Sequence, residues 1–106
     1  MAVLIRESRL ARRDLCAIVD RIAADNPAAA FRLVRAVRVT YERIARWPQS
    51  GRLLAEPDFR MSPVRGFPEY VVIWRARDDR VEIYRVFNGK PGHLRVVGRR
   101  DGRPGD

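Results

Sequence analysis

The second half of the chain gathers Arg60, Arg65, Arg75, Arg77, Arg80, Arg85 and Lys90 with Tyr70, Tyr84 and His93. These side chains could hold a phosphodiester. Metal-free RNA cleavage needs a base for the ribose 2′-hydroxyl, cations for the charge growing on the scissile phosphate, and an acid for the leaving oxygen. Cations are plentiful here and acid/base groups are scarce. A tyrosine or lysine serves only with a lowered pKa or as a proton donor, and the single histidine falls in a glycine- and proline-rich tail. For Arg75 and Arg85, a salt bridge to Glu82 or Glu69 on the sheet surface competes evenly with a phosphate contact. Other chemistry is poorly supplied. One histidine and one cysteine, far apart, are too few for a metal site, and no cofactor is expected. Cys16 reads as a small packing residue of the first helix, and Asp78 and Asp79 as turn residues. No glycine-rich phosphate loop of standard spacing occurs. Tyr41, Trp47 and Trp74 read as core.

The elements that must position these groups centre on two β-rich runs, Tyr70 to Arg77 and Val81 to Phe87, flanking Asp78-Asp79-Arg80. That pattern predicts an antiparallel hairpin. With the aspartates at its tip, strict alternation puts Tyr70, Val72, Trp74, Ala76, Val81, Ile83, Arg85 and Phe87 on one face. Val71, Ile73, Arg75, Arg77, Arg80, Glu82, Tyr84 and Val86 fall on the other.

Ahead of the hairpin, Ala2 to Arg6 predicts a first strand and Ser8 an N-cap. Ala11, Leu15, Ile18 and Ile22, widened by Leu10 and Val19, form the stripe of an amphipathic helix. Pro27 breaks that helix and opens a second one capped by Asn26, with Ala30, Val34, Val37, Tyr41 and Ile44 as its stripe and Leu33 beside it. So short a link dictates an antiparallel helical hairpin. Pro48 ends the second helix at Trp47. Gln49 to Arg52 is a turn cluster, Leu53 to Pro57 a loop, and Asp58 to Val64 a strand whose Pro63 confines it to an edge or an irregular end. Arg65 to Pro68 links it to the hairpin. The expected fold is α+β in the order β-α-α-β-β-β, a helical hairpin on one face of a small, mainly antiparallel sheet. Residues 1–90 form the domain and residues 91–106 a basic tail in which order fades.

At 106 residues this is one domain's worth of chain. A lone cysteine fits a reducing cytoplasm, and no run approaches the ~20 apolar residues of a membrane span. The net charge of +9 comes from twenty-one arginines and one lysine. A high-GC genome explains arginine in place of lysine but not the excess of base over acid, which points to a polyanion or an acidic partner.

Several short motifs occur in a fixed order: Ala11-x-x-Asp14-Leu15-x-x-Ile18, Asp25-Asn26-Pro27-x-Ala29-Ala30, and Pro48-x-x-Gly51-Arg52. They continue with Arg60-x-x-x-Val64-x-Gly66-Phe67-Pro68-x-Tyr70-Val71-Val72-Ile73-Trp74-Arg75 and Val81-x-Ile83-x-Arg85-Val86-Phe87-Asn88-Gly89. On these the chain resembles the RelE/ParE superfamily of bacterial type II toxins, and the ParE branch in particular. The resemblance implies the same β-α-α-β-β-β fold, a cytoplasmic growth inhibitor that poisons DNA gyrase, and a cognate antitoxin whose C-terminal segment folds on the toxin. The RelE branch instead implies a metal-free endonuclease acting on messenger RNA at the ribosome. Arg75, Arg85 and Tyr84 would then be the catalytic set, with Asn88 standing where that branch carries a histidine. A basic binding module that has lost toxicity is the third reading. Arg60, Arg65, Arg75, Arg77, Arg85 and Lys90 are the expected contacts to a target or nucleic acid, and Phe67, Val71, Ile73, Tyr84 and Val86 the expected anchors for the antitoxin.

Overall fold

The computed structural model describes residues 3–55 and 58–89. Strand β1 (Leu4–Glu7) leads into helices α1 (Arg9–Asp25) and α2 (Pro27–Arg46), followed by β2 (Arg52–Leu53), β3 (Phe59–Val64), β4 (Phe67–Ala76) and β5 (Arg80–Asn88). The expected order is met, with the two-residue β2 added inside the stretch expected to be turn and loop. Lys90, His93 and the rest of the expected tail lie outside the described residues.

The helix boundaries follow from their caps. Ser8 Oγ accepts the Ala11 amide at 2.9 Å and opens α1. Asn26 serves both helices, its backbone N–H closing α1 on Ile22 O and its Oδ1 accepting the Ala29 amide at 3.0 Å, with Pro27 as the first residue of α2. One side chain thus satisfies amide groups that a tight helical corner would otherwise leave bare.

The sheet runs β1-β5-β4-β3-β2, with β1 parallel to β5 and every other pair antiparallel. The hairpin strands therefore occupy the middle, as expected. Pro63 sits at a register shift of β3, past the end of β2, so no ladder bond is lost to its missing N–H. The link from β3 to β4 is shorter than expected: Phe67 and Pro68 already belong to β4, and Arg65-Gly66 alone makes the turn, with Gly66 at φ +85°.

One face of the sheet packs on the helices. Val64, Tyr70, Val72, Trp74, Val81, Ile83 and Val86 meet Ala11, Ile18, Leu33, Val37 and Ile44 in the main core. The α2 stripe is rotated slightly from expectation: Leu33 and Thr40 are fully buried, while Val34 and Tyr41 lie at its margin. The other face carries a smaller cluster of strand and loop residues only, Phe59, Met61, Val71 and Ile73 with Leu54, Tyr84 and Phe87.

The strict alternation expected for β5 fails at one residue. Ile73 pairs with Arg85 but Trp74 pairs with Ile83, so Tyr84 is an extra residue, a β-bulge. Past it the two faces exchange: Val86 belongs to the helix-side core and Phe87 to the open face, the reverse of expectation. The cause is the docking of α1. Strand β1 ends opposite Ile83, so among the described residues no strand pairs with β5 beyond it on that edge. Ser8 Oγ donates to Tyr84 O at 2.7 Å, and Asp14 Oδ2 accepts the Val86 N–H at 3.0 Å. Side chains at the start of α1 thus replace the missing strand.

Two packing expectations are corrected. Trp47 is 62% exposed at the C-cap of α2 rather than in the core, and Cys16 lies on the exposed face of α1. Tyr41 is half-buried and donates its hydroxyl to Glu7 Oε2 at 2.7 Å, while Arg12 pairs with Glu7 Oε1 at 3.2 Å. Burial, and then the bond to Glu7, raise the Tyr41 pKa far above the ordinary tyrosine value. Its contribution to stability is therefore complete below about pH 10 and is lost as the pH rises above it, because the unfolded tyrosine ionises and the folded one resists. Tyr41→Phe should cost about 1 kcal/mol at neutral pH. It should also reduce the alkaline fall in stability measured by urea unfolding above about pH 9.

Candidate binding surface on the open sheet face

The open face is organised by a row of paired positions across four strands: Arg6 beside Glu82, Glu82 beside Arg75, and Arg75 beside Phe59. Glu82 is the hub. Its carboxylate receives Arg80 (Nη2, 3.0 Å; Nε, 3.1 Å), Arg77 (Nε, 3.5 Å) and, more loosely, Arg75 (Nε, 3.8 Å). Three guanidinium groups share one carboxylate, with help among the described residues only from Asp79 at 2.9 Å from Arg80 and Asp58 at 3.8 Å from Arg77. The bonds to Glu82 and Asp79 raise the pKa of Arg80 further.

Beside this hub lies a hollow of about 210 Å³ lined by Arg6, Ser8, Phe59, Arg75, Ile83 and Tyr84 together with Glu82. Phe59 and Tyr84 make its aromatic floor, with ring centroids 5.2 Å apart. The Arg75 guanidinium lies over the Phe59 ring at 4.6 Å, a cation–π arrangement that fixes its plane. The Arg75 Nε is buried and makes no hydrogen bond. A planar cation over an aromatic floor, with donor capacity to spare, is suited to an anionic or carbonyl-rich partner surface.

The sequence-predicted contacts separate into groups. Arg75 and Arg77 come together at the hub. Arg60 lies elsewhere, paired across the sheet with Trp74 and bonded to Gln49 Oε1 at 3.0 Å and Ser50 O. Arg65 is exposed at the β3–β4 turn, its backbone N–H held by Thr40 Oγ1 at 3.1 Å. Arg85 is paired with neither Glu82 nor Glu69 in a salt bridge: its Nε and Nη2 engage Asp14 of α1 at 2.7 and 3.0 Å. The Arg85 and Asp14 side chains retain 18% and 15% exposure. Among the expected antitoxin anchors, Val71, Ile73 and Tyr84 belong to the open-face cluster, but Val71 and Ile73 are already buried there. Val86 and Phe67 pack on the helix side instead.

Sequence reasoning missed Glu82 as the hub, Phe59 and Arg6 as its neighbours, and Asp14 as the partner of Arg85. Glu82 carried a signal in the alternation that set it on one face with Arg75, Arg77 and Arg80, and Asp14 one as a lone acid among the arginines at the start of α1. Among the described residues, no group of three or more His, Cys, Asp or Glu is placed to hold a metal ion, and no helix is long and apolar enough to cross a membrane.

Residues 5–90 match the family model for the ParE toxin of the parDE type II toxin–antitoxin system. The chain belongs to the ParE toxin family. That places it in the RelE/ParE superfamily, as the motifs implied, and makes it the toxin member of a ParDE system. The backbone is also similar to a solved chain described as the chromosomal ParDE TA system from P. aeruginosa. The TM-score is 0.74, at 18% identity, over 84% of this chain and 98% of that one. At that identity the likeness speaks for the ParE fold alone. No curated protein matches the chain by sequence.

Proposed function

We propose that this ParE-family chain acts in the cytoplasm by inhibiting DNA gyrase, without cutting a bond itself, and that a cognate antitoxin neutralises it by covering its basic surface. Family membership supports the partner class, and the net charge of +9 supports an acidic one. The observation that carries the choice over the endonuclease reading is the Asp14 grip on Arg85. In that reading Arg85 would have to meet a scissile phosphate. Here the Nε–Nη2 edge of its guanidinium is held bidentately by a carboxylate of α1, and Asp14 is also committed to the Val86 backbone. Asn88 at the end of β5 supplies no acid or base in place of a histidine.

A supercoiling reaction with purified gyrase tests the proposal. The expected result is loss of supercoiling or accumulation of cleaved DNA, restored by adding the antitoxin before the toxin. Site-specific cuts in messenger RNA of a translating extract, with supercoiling untouched, would establish the endonuclease reading instead. Full supercoiling together with normal growth on expression of the chain alone would favour a non-toxic binding module.

A further inference from the structure

We infer that the hollow between Arg6, Phe59, Arg75 and Tyr84 is a small-molecule site that takes a phosphate monoester carrying one flat ring, the chemical class to which pyrimidine nucleoside monophosphates belong. Arg6 of β1 and Arg75 of β4 stand on either side of Glu82, at successive paired positions across β1, β5 and β4. Adjacent strands lie about 5 Å apart, so the two Cα atoms are about 10 Å apart, a span that two arginine side chains can close around one oxyanion. Both guanidinium groups have donors to give. Among the described residues Arg6 forms no ion pair, and Arg75 has only its loose contact to Glu82 at 3.8 Å, with its Nε making no hydrogen bond. The acid on the lining, Glu82, is turned to the hub, where Arg80 at 3.0 Å and Arg77 at 3.5 Å balance its charge. A ligand oxygen entering the hollow would supply the acceptor that the fold withholds from Arg6 and Arg75.

The floor selects what the oxyanion must carry. Phe59 and Tyr84 stand 5.2 Å apart with their planes 47° to each other, and Ile83 completes the apolar lining. A bare phosphate would use the arginines and leave that lining uncovered. A flat ring laid against Tyr84 or the guanidinium of Arg75 instead extends the stack that Arg75 already makes on Phe59 at 4.6 Å. Size sets the upper bound. The hollow, about 210 Å³, is smaller than the ~300–1,000 Å³ clefts that enclose drug-sized ligands, so it suits one ring with its phosphate rather than a fused polycycle or an element of a protein partner. The site is also held in place without a ligand, because the Arg75 plane is fixed by Phe59 and the Tyr84 backbone by Ser8.

The inference goes beyond the gyrase proposal and does not depend on it, because its test contains no gyrase. The isotopically labelled full chain is titrated with uridine 5′-monophosphate, phenyl phosphate and inorganic phosphate. The two ring-bearing esters should shift the backbone amides of Arg6, Phe59, Arg75, Glu82 and Tyr84 and saturate with a Kd below about 1 mM, while inorganic phosphate binds at least about tenfold more weakly. Tighter binding of the uridine ester than of phenyl phosphate would assign the site to nucleotides, and equal binding to aromatic phosphates at large, both within the inference. Arg6→Gln and Arg75→Gln should each weaken binding by about tenfold. Arg6 is exposed and unpaired, so Arg6→Gln should keep the parent melting temperature and decides the matter even where Arg75→Gln loses stability. No shift around the hollow at about 10 mM ester, Arg6→Gln binding as tightly as the parent, or inorganic phosphate binding as tightly as the esters would each overturn the inference. So would a single DNA strand of about six nucleotides that binds more than tenfold tighter than the mononucleotide and shifts amides well beyond the hollow, since the face would then be a nucleic-acid track.

Discussion

Asp14→Ala should lower the stability of the chain by about 3–5 kcal/mol, one of the two largest single-residue effects we expect. Its carboxylate accepts three hydrogen bonds, two from Arg85 and one from the Val86 N–H. Truncation leaves a mostly buried guanidinium without a counter-ion and a backbone donor at the bulge without an acceptor. The contact also joins α1 to β5 across seventy-one residues of sequence, so its loss releases the element that shields the main core. Denaturant unfolding of Asp14→Ala, Arg85→Met and the pair Asp14→Leu with Arg85→Met gives the decisive comparison. Each single variant should lose most of the quoted range. The apolar pair should recover much of it, short by about 1 kcal/mol for the Val86 amide. If Asp14→Ala unfolds within about 0.5 kcal/mol of the parent, the ion pair is not the fastening described here.

The same variants separate structure from chemistry. If Arg85 served only the fold, Arg85→Met and Asp14→Ala would reduce toxicity in proportion to their common loss of stability. A chemical role for Arg85 would make the arginine variant far worse than the aspartate variant at equal folded fraction.

The helices were legible because their signals are local. The Ser8 and Asn26 caps, Pro27 and the spacing of apolar residues depend on side chains within one or two turns of each other. The central hairpin was legible for the same reason, and its first half keeps the expected alternation from Tyr70 to Ala76. What escaped was set by contacts between distant segments. The bulge at Tyr84 exists because α1 feeds Ser8 and Asp14 into the edge of β5, and nothing in the run Val81 to Phe87 announces it. One extra residue was enough to send Val86 inward and Phe87 outward, which moved an expected partner anchor into the core. The charged hub was half legible. Alternation put Arg75, Arg77, Arg80 and Glu82 on one face, but Phe59 and Arg6 enter through the register of β3 and β1. Trp47 misled because aromatic residues are usually buried, yet its place after the last turn of α2 points it to solvent.

Gly51→Ala should cost about 2–4 kcal/mol although the residue is exposed in the turn after α2. Gly51 has φ +79°, the left-handed region where a side chain costs about 1 kcal/mol. A Cβ there would also run into the outer ring of Trp74 and stand 2.7 Å from Met61 O. Neither neighbour can move freely. Trp74 has no exposed surface, sits in the central strand, and donates its indole N–H to Pro48 O at 3.1 Å, so the Pro48 to Gly51 turn and the indole are fitted to each other. Met61 O belongs to β3 between its two neighbouring strands. The strain would therefore be passed to the core, where overpacking costs about 1–3 kcal/mol. Trp74→Phe, itself destabilising by removal of a buried ring, separates the two parts, since phenylalanine lacks the outer ring atoms that meet the new Cβ. In that background Gly51→Ala should cost about 1 kcal/mol less than in the parent, a coupling that urea unfolding of the four proteins would measure. An uncoupled loss of about 1 kcal/mol in both backgrounds would mean that backbone conformation alone holds glycine at this turn. A full-sized, coupled loss would show the turn closing on the indole as a lid on the end of the main core.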